Sequence, residues 1–248
     1  MKKILFAIAL AVVVAACQPN NNDTVQRGRL SISASTQNEV SYNTSTSNGK
    51  WVLDSELVPR EKDLSVEIVS NDNRYTWNTL TEFERAVNDG FLFVSAPYII
   101  TLAYGEKGAE GWSKPYFEGK TSVEIPGFEL TAEAEVEVTL ANSIVAIATT
   151  ERFDGYFPQA TFEVKGITWE PEREESLFLD AGEITIICTA TRQTGKTTTL
   201  TSNVLLKPTT RHTILFELST AGNVDVKVSF DGEIVEVTEE EFELNDNA

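Results

Sequence analysis

Residues 96–140 are APYIITLAYGEKGAEGWSKPYFEGKTSVEIPGFELTAEAEVEVTL, and they contain three β-prone segments on either side of an aromatic loop. The segments lie at residues 98–104, 121–125 and 134–140, and the loop lies at residues 111–119. In the last segment apolar and polar side chains alternate, which places every second side chain on one face of a half-buried strand. The stretch therefore predicts strands joined by polar loops.

The rest of the chain follows the same pattern, and no segment sustains a long helical period. One short helix is predicted at residues 81–88, with Thr81 as its N-cap and Gly90 after its end. The remaining strands are predicted at residues 30–34, 64–69, 75–77, 144–148, 160–164, 184–191, 197–206, 213–218 and 224–228.

The two halves of the chain resemble each other, which indicates a diverged internal repeat. Many short strands separated by polar turns, present twice, predict an all-β fold of two tandem β-sandwiches. The predicted organisation is a signal peptide (1–16), a flexible tether (17–27), a first sandwich (28–141), a second sandwich (142–232) and an acidic tail or edge strand (233–248). The matching pieces are 66–68 with 162–164, Trp77 with Trp169, 98–102 with 183–187, 119–121 with 195–197, and 135–140 with 213–218.

The N-terminus has the pattern of a secretory signal. Two lysines precede an apolar segment, residues 4–16, which is too short to span a bilayer as a helix. Residues 14–17, VAAC, resemble the bacterial lipobox, and this resemblance implies that Cys17 becomes the lipid-modified first residue of the mature protein. An ordinary signal peptide that contains a cysteine is the alternative. The prediction is a membrane partner through a lipid anchor at Cys17, with the further acylation typical of such lipoproteins.

The tether and the charge restrict location and partners. Asp23 is the single acidic residue soon after Cys17, so the cell surface and the periplasmic face of the outer membrane both remain open. Without residues 1–16 the chain has 18 basic and 38 acidic residues, a net charge of −20. Such a surface repels phosphate backbones, which argues against nucleic-acid binding. Cys188 is the second of two cysteines and is predicted to be a small core residue without a disulfide.

Candidate catalytic residues are scarce. His212 is the only histidine, which excludes histidine clusters and the common zinc sites. Its neighbours at residues 209–211 predict the start of a strand and therefore a surface histidine. The acidic runs at 170–175 and 239–241 are predicted to be solvated. The sequence therefore predicts a protein that is not an enzyme and that has no metal and no cofactor.

Four pieces of the sequence carry a family resemblance: residues 28–30, 111–119, 136–142 and 153–164. Together they resemble a family of Bacteroidetes lipoproteins known as domain of unknown function 4493, which is similar in plan to the fimbrillin-like surface proteins. The resemblance implies two transthyretin-like sandwiches, a lipid anchor and a place in fimbriae or adhesion. It implies no catalytic residues.

Two hypotheses of function follow. The first is a structural or adhesive, fimbria-related lipoprotein with fimbrial or other envelope proteins as partners. If it assembles as fimbrillins do, an Arg-specific protease would cut after Arg27 or Arg29, and the tail beyond Asp231 would donate a strand to another subunit. The second is a carbohydrate-binding lipoprotein in which Trp112, Tyr116 and Phe117 form a platform for a sugar ring. The alternative for these three rings is that they fill the rim of a sandwich core.

Overall fold

The fold was analysed in a computed structural model that describes residues 25–43, 48–192, 194–218, 226–236 and 238–242. Cys17 and the signal peptide lie outside the described residues. The predicted all-β class is confirmed, because strands dominate the described chain and only two short α-helices interrupt them. In the same residues no helix is long and apolar enough to cross a membrane.

The strands differ widely in length. The longest ones carry the two cores, and the two-residue strands lie at the edges of the sheets. In chain order they are β1 Arg27–Thr36, β2 Glu39–Asn43, β3 Asn48–Val52, β4 Ser65–Val69, β5 Arg74–Trp77, β6 Phe93–Val94, β7 Ala96–Tyr104, β8 Gly111–Trp112, β9 Phe117–Ile125, β10 Thr131–Leu140, β11 Ser143–Thr149, β12 Gln159–Val164, β13 Ile167–Trp169, β14 Leu177–Leu179, β15 Gly182–Thr191, β16 Thr197–Leu206, β17 Thr210–Leu218, β18 Val226–Phe230, β19 Glu233–Ile234 and β20 Thr238–Phe242.

The predicted helix is present, but its cap differs. Helix α1 spans Leu80–Asn88, and the side chain of Thr79, not Thr81, accepts the N–H of Glu82 at 3.1 Å. The carboxylate of Glu82 in turn accepts the N–H of Asn78, which completes a capping box. A second helix, α2 at Glu151–Tyr156, was not predicted, because six residues that include a glycine show no helical period.

The first half forms one seven-stranded sheet in the order β5-β4-β7-β9-β10-β1-β6. Strand β1 runs parallel to β10, and Leu30 lies opposite Ala132 on the buried face. Strand β7 pairs with β9 along its whole length, and its buried residues Tyr98, Ile100 and Leu102 alternate with more exposed ones. The strand predicted at residues 98–104 is therefore present and supplies one wall of the first core.

The second half repeats this arrangement with two sheets. Strand β11 runs parallel to β17, as β1 does to β10, inside a sheet ordered β19-β18-β17-β11-β14-β8. A five-stranded sheet, β13-β12-β15-β16-β20, covers the other side of the second core. Its edge strand β20 belongs to the segment predicted as an acidic tail or edge strand, and it pairs antiparallel with β16.

The pairing register supports part of the predicted repeat and corrects the rest. Val66 lies opposite Trp77 in the first half, and Phe162 lies opposite Trp169 in the second. On the other edge of its strand, Val66 lies opposite Leu102, and Phe162 likewise lies opposite Cys188. Tyr98 is therefore equivalent to Ile184 rather than Glu183, a slip of one residue that would reverse the faces of the strand. By the same register Gly119 is equivalent to Leu200 rather than Gly195.

Strands cross from one half of the chain to the other. The hairpin of β2 and β3 joins the second half's larger sheet by pairing with β17, and β8 joins it by pairing with β14. In return Ile144 and Phe178 belong to the first core. The boundary between residues 141 and 142 stays a prediction, and main-chain hydrogen bonds cross it at two places.

Asn142 lies where the two halves meet, and none of its surface is exposed. Its side chain accepts the N–H of Tyr116 at 3.3 Å and donates to the carbonyl of Lys114 at 3.0 Å. Its own carbonyl accepts the N–H of Thr209 at 3.1 Å. One buried residue thus satisfies main-chain groups of the aromatic loop and of the turn before β17.

We expect Asn142→Ala to lower the free energy of unfolding by about 2–4 kcal/mol, because it leaves two main-chain groups beside it without their partner. Urea denaturation with circular dichroism measures the change. The matched control is Asn203→Ala, since Asn203 is exposed on β16 and bonds only to the hydroxyl of Thr185 among its described contacts. Equal effects of the two changes would contradict the role given to Asn142.

Candidate functional site

The chain leaves the first sheet at Gly105, and the segment from there through the aromatic loop is held against the second half. Gly105 has a φ of +86°, and a Cβ there would lie 2.3 Å from the carbonyl oxygen of Pro115, so a larger residue does not fit. Further along, the Glu110 carboxylate accepts the main-chain N–H of Asp180 at 2.8 Å and pairs with the Lys165 ammonium at 2.5 Å. The loop therefore contacts both halves of the chain.

Trp112 packs onto the second half. It lies in β8, opposite Leu177, and its ring centroid is 5.1 Å from that of Trp169. The guanidinium carbon of Arg173 lies 5.1 Å from the Trp112 centroid, within cation–π range. Trp112 is half-buried, and these two neighbours occupy much of its surface.

Tyr116 and Phe117 point to other places. Phe117 is completely buried in the first core. Tyr116 is 7% exposed, and its hydroxyl donates to the Glu118 carboxylate at 2.7 Å. The three rings proposed as a sugar platform do not share one exposed face, and this geometry favours the interpretation that they fill the rims of two cores.

Glu118 is the centre of a small charged network. Its carboxylate accepts from the Tyr116 hydroxyl and pairs with Lys107 at 3.4 Å and Lys120 at 3.0 Å. Burial, and then the bond to Glu118, raises the pKa of Tyr116. Burial alone would raise the pKa of Glu118, but the hydrogen bonds from Tyr116 and Lys120 outweigh it and lower that pKa. The network borders a surface groove of about 480 Å³ that also contacts Trp77.

A larger cleft of about 790 Å³ lies between segments of the two halves. Trp51 and Leu57 come from the first half, and the connector 170–176 comes from the second. Arg173 spans the connector through ion pairs with Glu170 at 3.4 Å and Glu175 at 3.2 Å. Six acidic side chains line this cleft, which is named the acidic cleft below: Asp54, Glu56, Glu170, Glu172, Glu174 and Glu175.

Sequence patterns predicted only that the run 170–175 is solvated. The cleft arises because this run meets Trp51, which is more than a hundred positions earlier in the chain. No local signal indicates that contact. The contact depends on the pairing of β2 and β8 with strands of the second half, and local sequence does not show which strands pair.

His212 is not on the surface, so that prediction is wrong. Its side chain is 1% exposed and stacks on Phe230 with the ring centroids 4.9 Å apart. Its Nδ1 lies 2.7 Å from the Asp231 carboxylate, and its Nε2 accepts the main-chain N–H of Lys207 at 2.9 Å. Both ring nitrogens therefore have partners within the protein, which leaves neither in place to take a proton from a substrate.

The Cys188 thiol is equally inaccessible. Cys188 is buried, as predicted, and burial raises the pKa of its thiol to about 12, so the nucleophilic thiolate is disfavoured. In the part of the chain that the structure describes, no group of three or more His, Cys, Asp or Glu side chains is placed to hold a metal ion.

The two arginines considered as protease sites lie in a paired strand. Arg27 and Gly28 begin β1 and face Val94 and Phe93 of β6. The Arg27 side chain donates to the carbonyl of Leu92 at 3.3 Å. Arg29 lies opposite Thr131. A protease needs an extended, accessible chain, so cutting after Arg27 or Arg29 requires the start of β1 to open.

Comparison with known families confirms the resemblance noted in the sequence. Residues 26–246 match the family described as Domain of unknown function (DUF4493). Residues 1–18 match the prokaryotic membrane lipoprotein lipid attachment site, and Cys17 lies within that match. None of the curated proteins is significantly similar to the chain in sequence.

Several solved Bacteroides structures resemble the chain in fold alone. One from Bacteroides thetaiotaomicron VPI-5482, described as a candidate polysaccharide-binding protein (DUF1812), is 9% identical over 84% of this chain and 97% of its own, with a TM-score of 0.42. A candidate adhesin from the same organism is 9% identical over 86% and 99%, with a TM-score of 0.38. A candidate adhesin from Bacteroides ovatus is 10% identical over 88% and 97%, also with a TM-score of 0.38.

We expect Glu118→Gln to lower stability at neutral pH by about 1 kcal/mol, because an amide accepts more weakly than a carboxylate from Tyr116 and Lys120. The lowered pKa of Glu118 means that its ionised form contributes stability above its ordinary value of 4.5. That contribution is lost as the pH falls through the lower pKa of the folded protein. The variant should therefore lose less stability than the wild type during acidification.

Urea unfolding at a series of pH values between about 7 and about 3 measures this difference. Glu133→Gln removes one exposed carboxylate from β10 and controls for the change in net charge. Parallel pH profiles for wild type and Glu118→Gln would show that the network does not stabilise the carboxylate.

Proposed function

The chain belongs to the family described as a domain of unknown function (DUF4493), and on that premise we propose that it is a non-catalytic lipoprotein of the cell envelope with a structural or adhesive role. The observation that carries this proposal is the lipoprotein attachment site at residues 1–18. Cys17 is the residue that receives the lipid. The outer membrane is the proposed location, facing either the cell surface or the periplasm.

The physical chemistry of acylation supports a stable anchor. Each methylene of a bound acyl chain contributes about 0.8 kcal/mol when it enters the bilayer, so two or more chains hold a protein durably. The seven residues from Gln18 to Thr24 connect Cys17 to the first described residue, Val25. All of them except Pro19 are polar, which suits a tether between the lipid and the folded domain.

A non-catalytic role is supported by the state of the reactive groups. His212 has both ring nitrogens occupied by Asp231 and by the main chain of residue 207. The Cys188 thiol is buried. Neither side chain has the accessible, poised geometry that nucleophilic or acid–base catalysis needs.

A structural or adhesive role is supported by the way the halves are joined. Strands β2 and β8 pair across the halves, and Asn142 bonds to segments of both. A mechanical or adhesive protein benefits when separation of its halves requires main-chain hydrogen bonds to break. The edge strand β20 lies on β16 in this chain, and the proposed fimbrial assembly would replace it with a strand from another subunit.

We expect Cys17→Ser to move the protein from the membrane fraction to the soluble fraction, because the serine hydroxyl does not accept the lipid. Immunoblots of fractionated cells, together with metabolic labelling by palmitate, measure both effects. Cys188→Ser is the matched control and should remain membrane-bound. An unchanged distribution of Cys17→Ser would contradict anchoring through this residue.

Carbohydrate binding is the second candidate function, and the acidic cleft is the observation that favours it. Sugar sites commonly combine an aromatic ring with carboxylates that accept from hydroxyl groups, and Trp51 with Asp54 and Glu172 supplies both. Trp112 lies beside the cleft beneath Arg173, whereas Tyr116 and Phe117 do not line it.

We expect any glycan that binds the wild type on an array to bind Trp51→Ala and Asp54→Asn at least tenfold more weakly, a loss of about 1.4 kcal/mol or more. Trp112→Ala tests the neighbouring ring, and Glu133→Gln serves as a control outside the cleft. If no glycan binds the wild type, or if binding survives both cleft changes, this second candidate is removed.

A further inference from the structure

An apolar patch lies at the point where the folded domain meets its tether. Val25 is 62% exposed, Phe128 79% and Leu130 58%. Their backbone segments lie side by side: a Cβ on Gly127 would lie 2.0 Å from the Gln26 side chain, the N–H of Glu129 donates to the Arg27 carbonyl at 2.8 Å, and the N–H of Arg29 donates to the Leu130 carbonyl at 2.8 Å. Val25, Phe128 and Leu130 are named the basal patch below.

The turn that presents Phe128 is unusual for its sequence. The N–H of Leu130 donates to the carbonyl of Gly127, and both residues between them have positive φ, 60° for Phe128 and 57° for Glu129. Two central residues with positive φ are the mark of a type I′ turn, which strongly favours Asn-Gly. The chain instead holds an aromatic residue in this backbone conformation with its ring exposed, as happens at sites where strain serves a function.

The charges around the basal patch differ from those of the protein as a whole. The mature chain is strongly acidic, which opposes approach to an anionic membrane. Next to the patch, however, Arg27 and Arg29 carry positive charge, and Arg29 pairs with Glu129 at 3.5 Å. Arginine beside exposed aromatic and aliphatic side chains is the composition of surfaces that rest in the headgroup layer of a bilayer.

The length of the tether determines which partner can reach this patch. Only residues 18–24 separate Cys17 from Val25. Even a fully extended chain spans at most about 3.5 Å per residue, so a lipid-anchored Val25 lies within about 28 Å of the membrane surface. The basal patch begins at Val25 itself, so it is the part of the described domain nearest in sequence to the anchor and lies within reach of the bilayer.

From these observations we propose that the basal patch is a membrane-docking surface that inserts Phe128 and Leu130 into the interface of the bilayer holding the anchor. This inference rests on the proposed lipid anchor at Cys17. The docked domain has one orientation, in which the N-terminal end of β1 and the turn at residues 126–130 contact the membrane. The acidic cleft and the edge strand β20 are then held in a fixed direction relative to the membrane.

The test uses the intact acylated protein, purified from membranes and reconstituted into phosphatidylcholine vesicles. An environment-sensitive fluorophore is attached to Phe128→Cys, since Cys17 is acylated and Cys188 is buried. Lipids that carry a spin label at a shallow acyl position quench only fluorophores inside the bilayer interface. Leu205→Cys is the control, because Leu205 is 60% exposed and lies on β16 in the second half.

We expect strong quenching of the label at position 128 and little at position 205. A second pair of variants carries the label at Leu130→Cys, with or without the additional change Phe128→Glu. The added change removes the aromatic contact with the bilayer, so quenching of the label at position 130 should fall severalfold. The protein should still float with the vesicles. Floating protein without quenching at position 128, or with equal quenching at both positions, would overturn the docking surface alone. Protein that does not float with vesicles would overturn the anchor and the docking surface together.

A second copy of the chain is the other occupant that this experiment detects. In vesicles without spin label, the emission of the label at position 128 should not depend on the density of protein in the membrane. A blue shift that grows with protein density would show that the patch binds another protein molecule, and it would overturn membrane docking.

Discussion

Burial of the Asn142 amide at the junction of the two halves is the constraint on which the rest of the structure depends. A buried amide has to find partners for its donor and acceptor groups, because leaving them unpaired costs more than their bonds contribute. The side-chain amide finds its partners in the aromatic loop, at Lys114 and Tyr116, while the main-chain carbonyl of the same residue accepts the N–H of Thr209 in the turn before β17. Satisfying the side chain therefore fixes where the loop crosses, and the main chain of the same buried residue is bonded to the turn where the last long strand begins.

The crossing of the loop determines how its aromatic rings are used. Once residues 114–116 are held by Asn142, Phe117 enters the first core and Trp112 reaches the second. Tyr116 lines the groove on the first sheet, with its hydroxyl satisfied by Glu118. The aromatic loop thus contributes rings to both cores instead of presenting a binding face, and exposed apolar side chains appear elsewhere, at Phe128 and Leu130.

Local patterns predicted the elements well where one face of a strand is buried. The strand at residues 134–140 follows from alternation, the strand at residues 98–104 from its β-prone side chains, and the lipid attachment site from the order of charge, apolar run and cysteine. The same patterns failed where a contact is distant. His212 was predicted at the surface, but Asp231 and the Lys207 N–H give it buried partners that no neighbouring residue signals. The repeat was recognised, but its register slipped by one at Tyr98 because an imperfect alternation does not define parity.

The sequence by itself determined the all-β class, the family and the lipid attachment site within residues 1–18, because each depends on the order and type of residues along the chain. Only the tertiary structure decided that β2 and β8 pair with the second half, that the connector at 170–176 faces Trp51 across a cleft, and that Gln26 lies beside Gly127. The physical reason is that alternation defines which face of a strand is buried but not which strand is its neighbour. That choice depends on the whole chain, through buried polar groups such as Asn142 that accept only certain partners.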